Sequence, residues 1–458
     1  MKQILITGDR SGSGKTSITL ALAALLSKKN RVQTFKVGMD YIDPSYLSAV
    51  SGRPCRNLDS FTLSDSQIRD IYSFGCQHAD MAIVEGVRGL YEGAEALGDN
   101  GSTAAVAKAL DLPVVLVVSA QSITRSAAAL VKGFQSFDPT IRISGVILNH
   151  IRGGSHKEKA TEAIEHYCKI PVIGAIPRTD EMQLTMRHLG LVPFREGSRG
   201  KDFDERIDAI TNIIGKYVDL DAFSSLMKDT PPAPVKKTLF PPRVDQDVKI
   251  GVALDEAFNF YYADLFDLLP TLGANVVQFS PIHDSLPDAD GYIIGGGYPE
   301  LFLDELEKND RMREALRDVS RNGTPVYAEC GGLMYLTETM NLMPGWQGRE
   351  DTRSAAMCGV FRGETRMPAH RVVRYVEGTC SADSPLGKAR FRGHEFHYSE
   401  VKLDQDTRYA YRLSRGEGIH DSFDGAVVNN TLGSYTHLHP VASAGMFRHF
   451  VDLCRKKG

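Results

Sequence analysis

A short apolar run at residues 4–7 passes directly into Gly8-Asp9-Arg10-Ser11-Gly12-Ser13-Gly14-Lys15-Thr16, and then into a helix-prone stretch at 17–27. Strand, glycine loop and helix in that order commit the chain to a parallel α/β layer, because such a loop works only where a strand ends and a helix begins. The glycines let successive backbone N–H groups point at one anion. Lys15 adds a cation, and Thr16 offers a hydroxyl to Mg²⁺ at the positive end of the helix. Gly12, Ser13 and Gly14 complete the cradle, which reads as a phosphate site. One irregularity stands out: strict spacing places a glycine where Asp9 sits, and here the first glycine, Gly8, comes one residue earlier.

The rest of the chain follows the same logic. Apolar runs at 32–37, 81–84, 114–118, 143–148 and 172–176 alternate with amphipathic stretches, predicting a doubly wound α/β domain over 1–195. From 196 to 246 the pattern turns to charge and then proline (Pro231, Pro232, Pro234, Pro241, Pro242), which reads as a linker. A second βα series, with strands expected at 249–254, 275–279, 291–294 and 324–327, opens a domain over 247–458. A total of 458 residues fits two domains. The formal net charge of -4 gives no reason to expect nucleic acid as a partner. Seven cysteines without a CxxC pair argue against both a disulfide framework and a zinc site. The N-terminus reads into a strand rather than a signal peptide, and apolar runs such as 112–118 are too short to cross a bilayer. A cytoplasmic protein without a membrane partner is expected.

Three carboxylates fall where strands of the first domain end. Glu85 closes MAIVEG, an acidic position that can reach a metal over a phosphate loop, and Asp40 and Asp43 follow the second strand on the same rim. Each alone reads more readily as a solvated loop or helix-capping acid; together they suggest a metal site. In the second domain an apolar strand turns through Glu329-Cys330-Gly331-Gly332 into a helix, an elbow that presents a thiol at a helix N-terminus. A cysteine nucleophile needs a base, and His437, in Gly433-Ser434-Tyr435-Thr436-His437-Leu438-His439, is the chosen candidate. Gly295-Gly296-Gly297 ends another strand and is a candidate source of N–H groups for an oxyanion.

The motifs GDRSGSGKT, FKVGMDYIDPSYLSAVSGRPCRNLD, VEGVRGLYEG, GGGYPE, AECGGLMYL and SYTHLH together resemble the a,c-diamide synthase family, that is, cobyrinic acid a,c-diamide synthase and its relative nickel-sirohydrochlorin a,c-diamide synthase. The resemblance spans both domains. It implies a dethiobiotin-synthetase-like P-loop domain, whose phosphate loop has the same shifted glycine, followed by a triad-type class I glutamine amidotransferase domain. It further implies ATP, Mg²⁺ and L-glutamine as cosubstrates and cofactor, and a metallo-tetrapyrrole polycarboxylate as acceptor. Cys330 would attack glutamine with His437 as its base. Lys15 and Thr16 would hold phosphate and metal, Glu85 and Asp40 would assist Mg²⁺ or the acyl phosphate, and Asp43 would orient the reacting side chain. Asn149, ending GVILN, resembles an adenine-reading asparagine, and Arg178 a neighbouring nucleotide contact. Tyr41, Arg88 and Glu92 would face the acceptor. A homodimer is a further candidate assembly.

Departures from the family pattern matter as much. Many triad glutaminases carry an acid two residues after the histidine, but His439 stands there, so Cys330 and His437 are expected to act without a carboxylate orienter. Met39, Arg88, Tyr91 and Glu92, the last where cobyrinate enzymes usually have aspartate, lean the reading toward the nickel-sirohydrochlorin branch and the nickel tetrapyrrole coenzyme of methanogenesis. The same reaction on cobyrinate is the alternative. A dethiobiotin-synthetase-like carboxylase leaves the Cys330 domain unexplained, a cobyric acid synthase has different motifs at the acidic loop, and a partitioning-type switch ATPase has no use for an intact Cys330 elbow.

Overall fold

The structure, a computed structural model, describes residues 1–182, 200–230, 234, 239–241 and 245–456. Its chain divides into two compact units, Met1–Lys236 and Lys237–Gly458.

The apolar runs of the first unit become β1 (Lys2–Gly8), β2 (Val32–Val37), β3 (Arg56–Leu58), β4 (Met81–Gly89), β5 (Val114–Ser119), β6 (Ile143–Ile151) and β7 (Val172–Pro177). They form one sheet in the order β3-β2-β4-β1-β5-β6-β7, and each neighbouring pair is parallel. Burial on both faces explains why these strands read as continuous apolar runs rather than alternating ones. The intervening segments form α1 (Lys15–Ser27), α2 (Ile42–Ser51), α3 (Asp65–Gly75), α4 (Thr103–Leu110), α5 (Arg125–Phe137) and α6 (Gly154–Cys168). Strand order reverses beside β1, so the loop that leaves it opens at the switch point where such sheets bind ligands.

The first unit extends well past the expected boundary at 195. Within the expected linker, Gly200–Tyr217 forms α7, Leu220–Leu226 forms α8, and Lys228–Asp229 forms a short strand, β8, antiparallel to the start of β1. The charge that suggested a linker lies on the outer face of an amphipathic helix. Phe203, Ile210 and Ile214, spaced about two turns and one turn apart, are buried in the same core as Ile18 and Leu22 of α1. Phe223 and Met227 join them. At about 1.5–3 kcal/mol for each fully buried large apolar side chain, this contact holds the segment to the first unit. The proline-rich remainder of the expected linker lies largely outside the described residues.

The second unit carries a ten-stranded sheet that runs Ala274–Phe279, Val248–Ala253, Gly291–Ile294, Val326–Glu329, Thr431–Ser434, Phe423–Val428, Arg408–Arg415, Val372–Cys380, Ala389–His397 and His437–Leu438. Its first five strands pair in parallel, and the remainder are antiparallel. A four-stranded sheet is built from Arg353–Ala356, Thr339–Leu342, Gly363–Met367 and Glu400–Leu403. All seven cysteines are free and buried. Among the described residues no helix is long and apolar enough to cross a membrane.

Candidate active sites

In the first unit the phosphate loop leaves β1 as expected, and the shifted glycine has a steric cause. A Cβ on Gly8 would lie 2.3 Å from Ser13 Oγ and 2.8 Å from the Arg10 carbonyl oxygen, so the loop can fold back over β1 only if that residue is glycine. Asp9, where strict spacing wants glycine, is buried and takes Arg10 Nε and Nη2 at 2.9 and 2.8 Å. Beyond the loop, Lys15, Thr16, Asp43, Asn149 and Arg178 line a cavity of about 490 Å³.

Sheet register assembles the charged floor of this cavity. Lys36 of β2 and Glu85 of β4 are direct cross-strand partners, and their side chains meet at 2.9 Å. Glu85 Oε1 also accepts from Thr16 Oγ1 at 2.7 Å and from Lys15 Nζ at 3.2 Å. Asp43 pairs with Lys36 and receives the Thr16 hydroxyl at 3.3 Å. Asp40 stands 3.7 Å from Lys36, while its Oδ1 accepts the Ile42 and Asp43 N–H groups at 2.9 and 3.1 Å, capping α2. Burial, followed by the neighbouring Asp43 charge, pushes Asp40 up to about 7. Burial opposes ionisation of Asp43, but Lys36 and Lys15 overcome it and hold that carboxyl below its usual range. Lys36 pays a large burial penalty, yet Asp43, Glu85 and Asp40 keep it charged well above the ordinary lysine range.

Lys36 was absent from the expected site. Its signal was present in the sequence: a lone lysine inside VQTFKV, a strand otherwise suited to burial. The carboxylates expected to face a metal are thus already balanced by two amines. Among the described residues no three His, Cys, Asp or Glu side chains converge as a metal cage. The site nevertheless fits Mg²⁺ in the manner of nucleotide enzymes, which hold it by one or two protein oxygens and by phosphate. The buried Glu85 Oε2 has no hydrogen-bond partner, and it belongs to the carboxylate that already holds Thr16.

The remaining expected residues of the first unit divide. Asn149 lines the cavity, but its amide nitrogen donates to the Ser13 carbonyl at 2.9 Å and its oxygen accepts the His150 N–H at 2.9 Å, so it tethers the phosphate loop. Tyr41 immediately precedes α2. Arg88 is exposed at the end of β4 with a left-handed φ of 52°, a conformation uncommon outside glycine. Glu92 is exposed as well. Tyr91 donates its hydroxyl to the Phe134 carbonyl at 2.7 Å and packs on Phe134 and Phe137, so it is engaged in local packing.

In the second unit the expected sharp elbow is present, and its backbone is strained. Cys330 has φ 49° and ψ −101° between the strand Val326–Glu329 and the helix Gly331–Leu336. Its N–H donates to the Ser434 carbonyl at 2.7 Å, which ties the elbow to the neighbouring strand. From Ser434 the chain turns back through Tyr435 and Thr436, whose N–H groups donate to the buried carboxylate of Asp424 at 3.0 and 2.9 Å. That turn delivers His437 to Cys330. Burial would lower the imidazole, but its interactions with Cys330 and with the Glu329 carboxylate raise it to about 10, while the Cys330 thiol itself reaches the Phe396 carbonyl at 3.6 Å. A Cβ on Gly296 would lie 2.6 Å from His437 Cε1, so a glycine there makes room for the ring. The Gly295 N–H, expected as an oxyanion donor, is instead given to the Tyr261 hydroxyl at 2.6 Å.

The expectation of a histidine without a carboxylate does not hold. Glu329, the residue before the nucleophile candidate, accepts from His437 Nδ1 at 3.1 Å through Oε2. Its other oxygen receives the Leu438 N–H at 3.0 Å and the Tyr327 hydroxyl. His439, at the position where an acid is usual, is buried and packs against Tyr262 with ring centroids 4.6 Å apart and the planes tilted by 38°. Sequence spacing missed the acid because it searched downstream of the histidine, whereas the acid enters from the strand beneath the cysteine.

Comparison with known proteins agrees with both halves. Residues 4–192 match a CobQ/CobB/MinD/ParA nucleotide binding domain, and residues 249–444 a CobB/CobQ-like glutamine amidotransferase domain. The chain is 49% identical to the cobyrinate a,c-diamide synthase of Methanosarcina barkeri, over 99% of this chain and 96% of that one. It is 50% identical to its namesake in Methanosarcina acetivorans, over 99% and 95%. With that of Methanothermobacter thermautotrophicus it shares 42% identity over 95% and 96%. A phosphate-loop domain and a cysteine–histidine amidotransferase domain in one polypeptide, related along its whole length to such enzymes, place this chain in the a,c-diamide synthase family of ATP-dependent, glutamine-using amidoligases.

Proposed function

We propose that this enzyme converts the a and c acetate carboxylates of cobyrinate into amides, with ATP as the source of energy and L-glutamine as the source of nitrogen. The observation that carries the reaction type is the coexistence in one chain of a cation-lined phosphate cavity and a buried thiol–imidazole pair. The acceptor rests on the names of relatives that match along nearly the full length.

In this reading His437, whose raised proton affinity favours it, takes the Cys330 thiol proton before the attack; the Cys330 thiolate then attacks the glutamine side-chain amide carbon, and His437 passes that proton to the departing ammonia. Water then cleaves the thioester to glutamate and restores the thiol. In the first unit a substrate carboxylate oxygen attacks the γ-phosphorus of ATP, releasing ADP and leaving an acyl phosphate. Ammonia displaces phosphate from that carbonyl carbon to give the amide. Two such rounds yield the diamide. Lys15 and Lys36 supply the fixed positive charge that phosphoryl transfer requires, and Thr16 and Glu85 would hold the Mg²⁺, which neutralises phosphate charge when bound. Asp43 and Asp40 hold Lys36 in place and border the transferred group. Arg178 flanks the nucleotide, and Asn149 shapes the loop around its phosphates. Tyr41, Arg88 and Glu92 are assigned to the acceptor side. The enzyme works in the cytoplasm, where ATP and glutamine are available.

Nickel-sirohydrochlorin is the second reading. It draws on Met39, Arg88 and Glu92, and the exposed Arg88 is a bidentate donor suited to an additional ring carboxylate. Tyr91 no longer supports it, because its side chain is spent on Phe134 and Phe137. The test is mass gain by each tetrapyrrole incubated separately with enzyme, MgATP and glutamine. Two amidation steps on cobyrinate alone are expected. Two steps on the nickel compound alone would move the assignment to the second reading, and no gain on either would overturn both acceptors.

A further inference from the structure

The geometry points to Glu329 as the carboxylate that positions His437 for glutamine hydrolysis, completing a Cys330–His437–Glu329 triad whose acid precedes the nucleophile in sequence. The inference rests on the proposed roles of Cys330 and His437. Three donors converge on this one carboxylate: His437 Nδ1 at 3.1 Å, the Leu438 backbone N–H at 3.0 Å and the Tyr327 hydroxyl. The Glu329 side chain is 10% exposed and that of His437 1% exposed, so little water competes for either partner.

The arrangement fixes a tautomer. A carboxylate only accepts, so a neutral His437 must carry its proton on Nδ1 and turn a lone pair on its other ring nitrogen toward the Cys330 sulfur. That is the form a general base requires. The Leu438 contact extends the control to the backbone, because the residue after His437 is bonded to the same carboxylate. The His394 ring lies parallel to His437 at 4.9 Å and restricts rotation from the other side. Strand pairing makes this possible: Glu329 is in register with Ser434, from which a three-residue step reaches His437.

Replacing Glu329 with glutamine keeps the shape but introduces an NH₂ group where every neighbour is a donor. The imidazole can satisfy that group only by accepting at Nδ1, which places its proton on the nitrogen that faces the thiol and removes the base. The experiment is steady-state release of glutamate from L-glutamine, with MgATP and whichever tetrapyrrole gains mass in the assay above, for wild type, Glu329→Gln, Glu329→Asp and Cys330→Ala. Ligation driven by ammonium chloride serves as the folding control.

Glu329→Gln is expected to lower kcat for glutamine on the order of 100-fold or more with KM for glutamine little changed, as for loss of the acid in a serine triad. Glu329→Asp, which retains the acceptor, is expected to recover part of that loss. Unchanged kcat in Glu329→Gln beside an inactive Cys330→Ala would overturn the role of Glu329 while leaving the nucleophile intact. Full glutamine use by Cys330→Ala would instead overturn the thiol assignment. If Glu329→Gln loses ammonia-driven ligation too and so fails to fold, Glu329→Asp decides: kcat at the wild-type level with the carboxylate withdrawn by one methylene would end the proposal.

Discussion

The two sites solve opposite electrostatic problems. Around the phosphate loop, Lys15 and Lys36 are interleaved with Asp40, Asp43 and Glu85 in a network that is crowded with charge and only partly exposed. Around Cys330 a single carboxylate, Glu329, addresses one imidazole inside a wall of aromatic rings and histidines. The first arrangement suits a ligand that brings its own large negative charge, since a triphosphate can take over partners that the carboxylates now occupy. The second suits a neutral amide, where a charge must be created during reaction and the protein stores it on a preset thiol–imidazole pair. The lesson is that one site is tuned by the number of charges and the other by the orientation of a few.

The largest effect expected from this contrast separates the sites outright. Lys15→Ala should reduce ligation with either glutamine or ammonium chloride on the order of 1,000-fold, because both depend on the activated carboxylate. Cys330→Ala should abolish ligation from glutamine and spare ligation from ammonium chloride. Loss of both activities in Cys330→Ala, in a variant with a wild-type melting curve, would break the division of labour. Retained ligation in Lys15→Ala would remove that lysine from the phosphate site.

A smaller effect tests whether charge number governs the first site. Lys36 is 1% exposed and pairs with Asp43 and Glu85, so Lys36→Met strands two acids in a low-dielectric pocket. A destabilisation of about 3 kcal/mol is expected, typical for removing one member of a buried ion network. Adding Asp43→Asn should restore much of the stability and none of the activity. Thermal melting and ammonia-driven ligation of the single and double variants give the comparison. A double variant no more stable than Lys36→Met would show that the two charges are not coupled.

What the sequence conveyed follows the same divide. The phosphate loop is contiguous, so Gly12 to Thr16 and the strand before them announced the first domain; Glu85 was found because it ends an apolar run, and Asp43 because it follows one. Lys36 was missed because its partners lie in other strands, and a lysine in an apolar run has no meaning until register sets it opposite Glu85. Cys330 and His437 were both named, yet 107 positions separate their numbers in the chain, and only the parallel pairing of Glu329 with Ser434 joins them. Glu329 itself was quoted within the motif and given no role, since the residue next to a nucleophile usually points away from it. The segment after 195 was misjudged for a different reason. Its opening residues, 196–208, hold eight charged side chains against two apolar ones, and the buried stripe of Phe203, Ile210 and Ile214 has meaning only against α1.

The smallest expected effect asks whether the first site is held under electrostatic strain before nucleotide arrives. Asp40 is raised to about 7 by burial and by Asp43, so folding favours its protonated form. That stabilisation is complete below the ordinary aspartate value and is lost as pH rises through about 7. Asp40→Asn imitates the neutral state and keeps an oxygen to accept the Ile42 and Asp43 N–H groups. The nucleotide-free variant is therefore expected to melt higher than wild type at pH 8, by about 1 kcal/mol or more, a few degrees, and to match it only below the ordinary aspartate value, at about pH 3. Ligation should fall in the same variant, because in the proposed mechanism the same carboxylate borders the transferred phosphoryl group. A variant that melts lower than wild type at pH 8 would show the reverse: that Lys36, 3.7 Å away, needs the Asp40 charge more than burial opposes it, and that the network is balanced rather than strained.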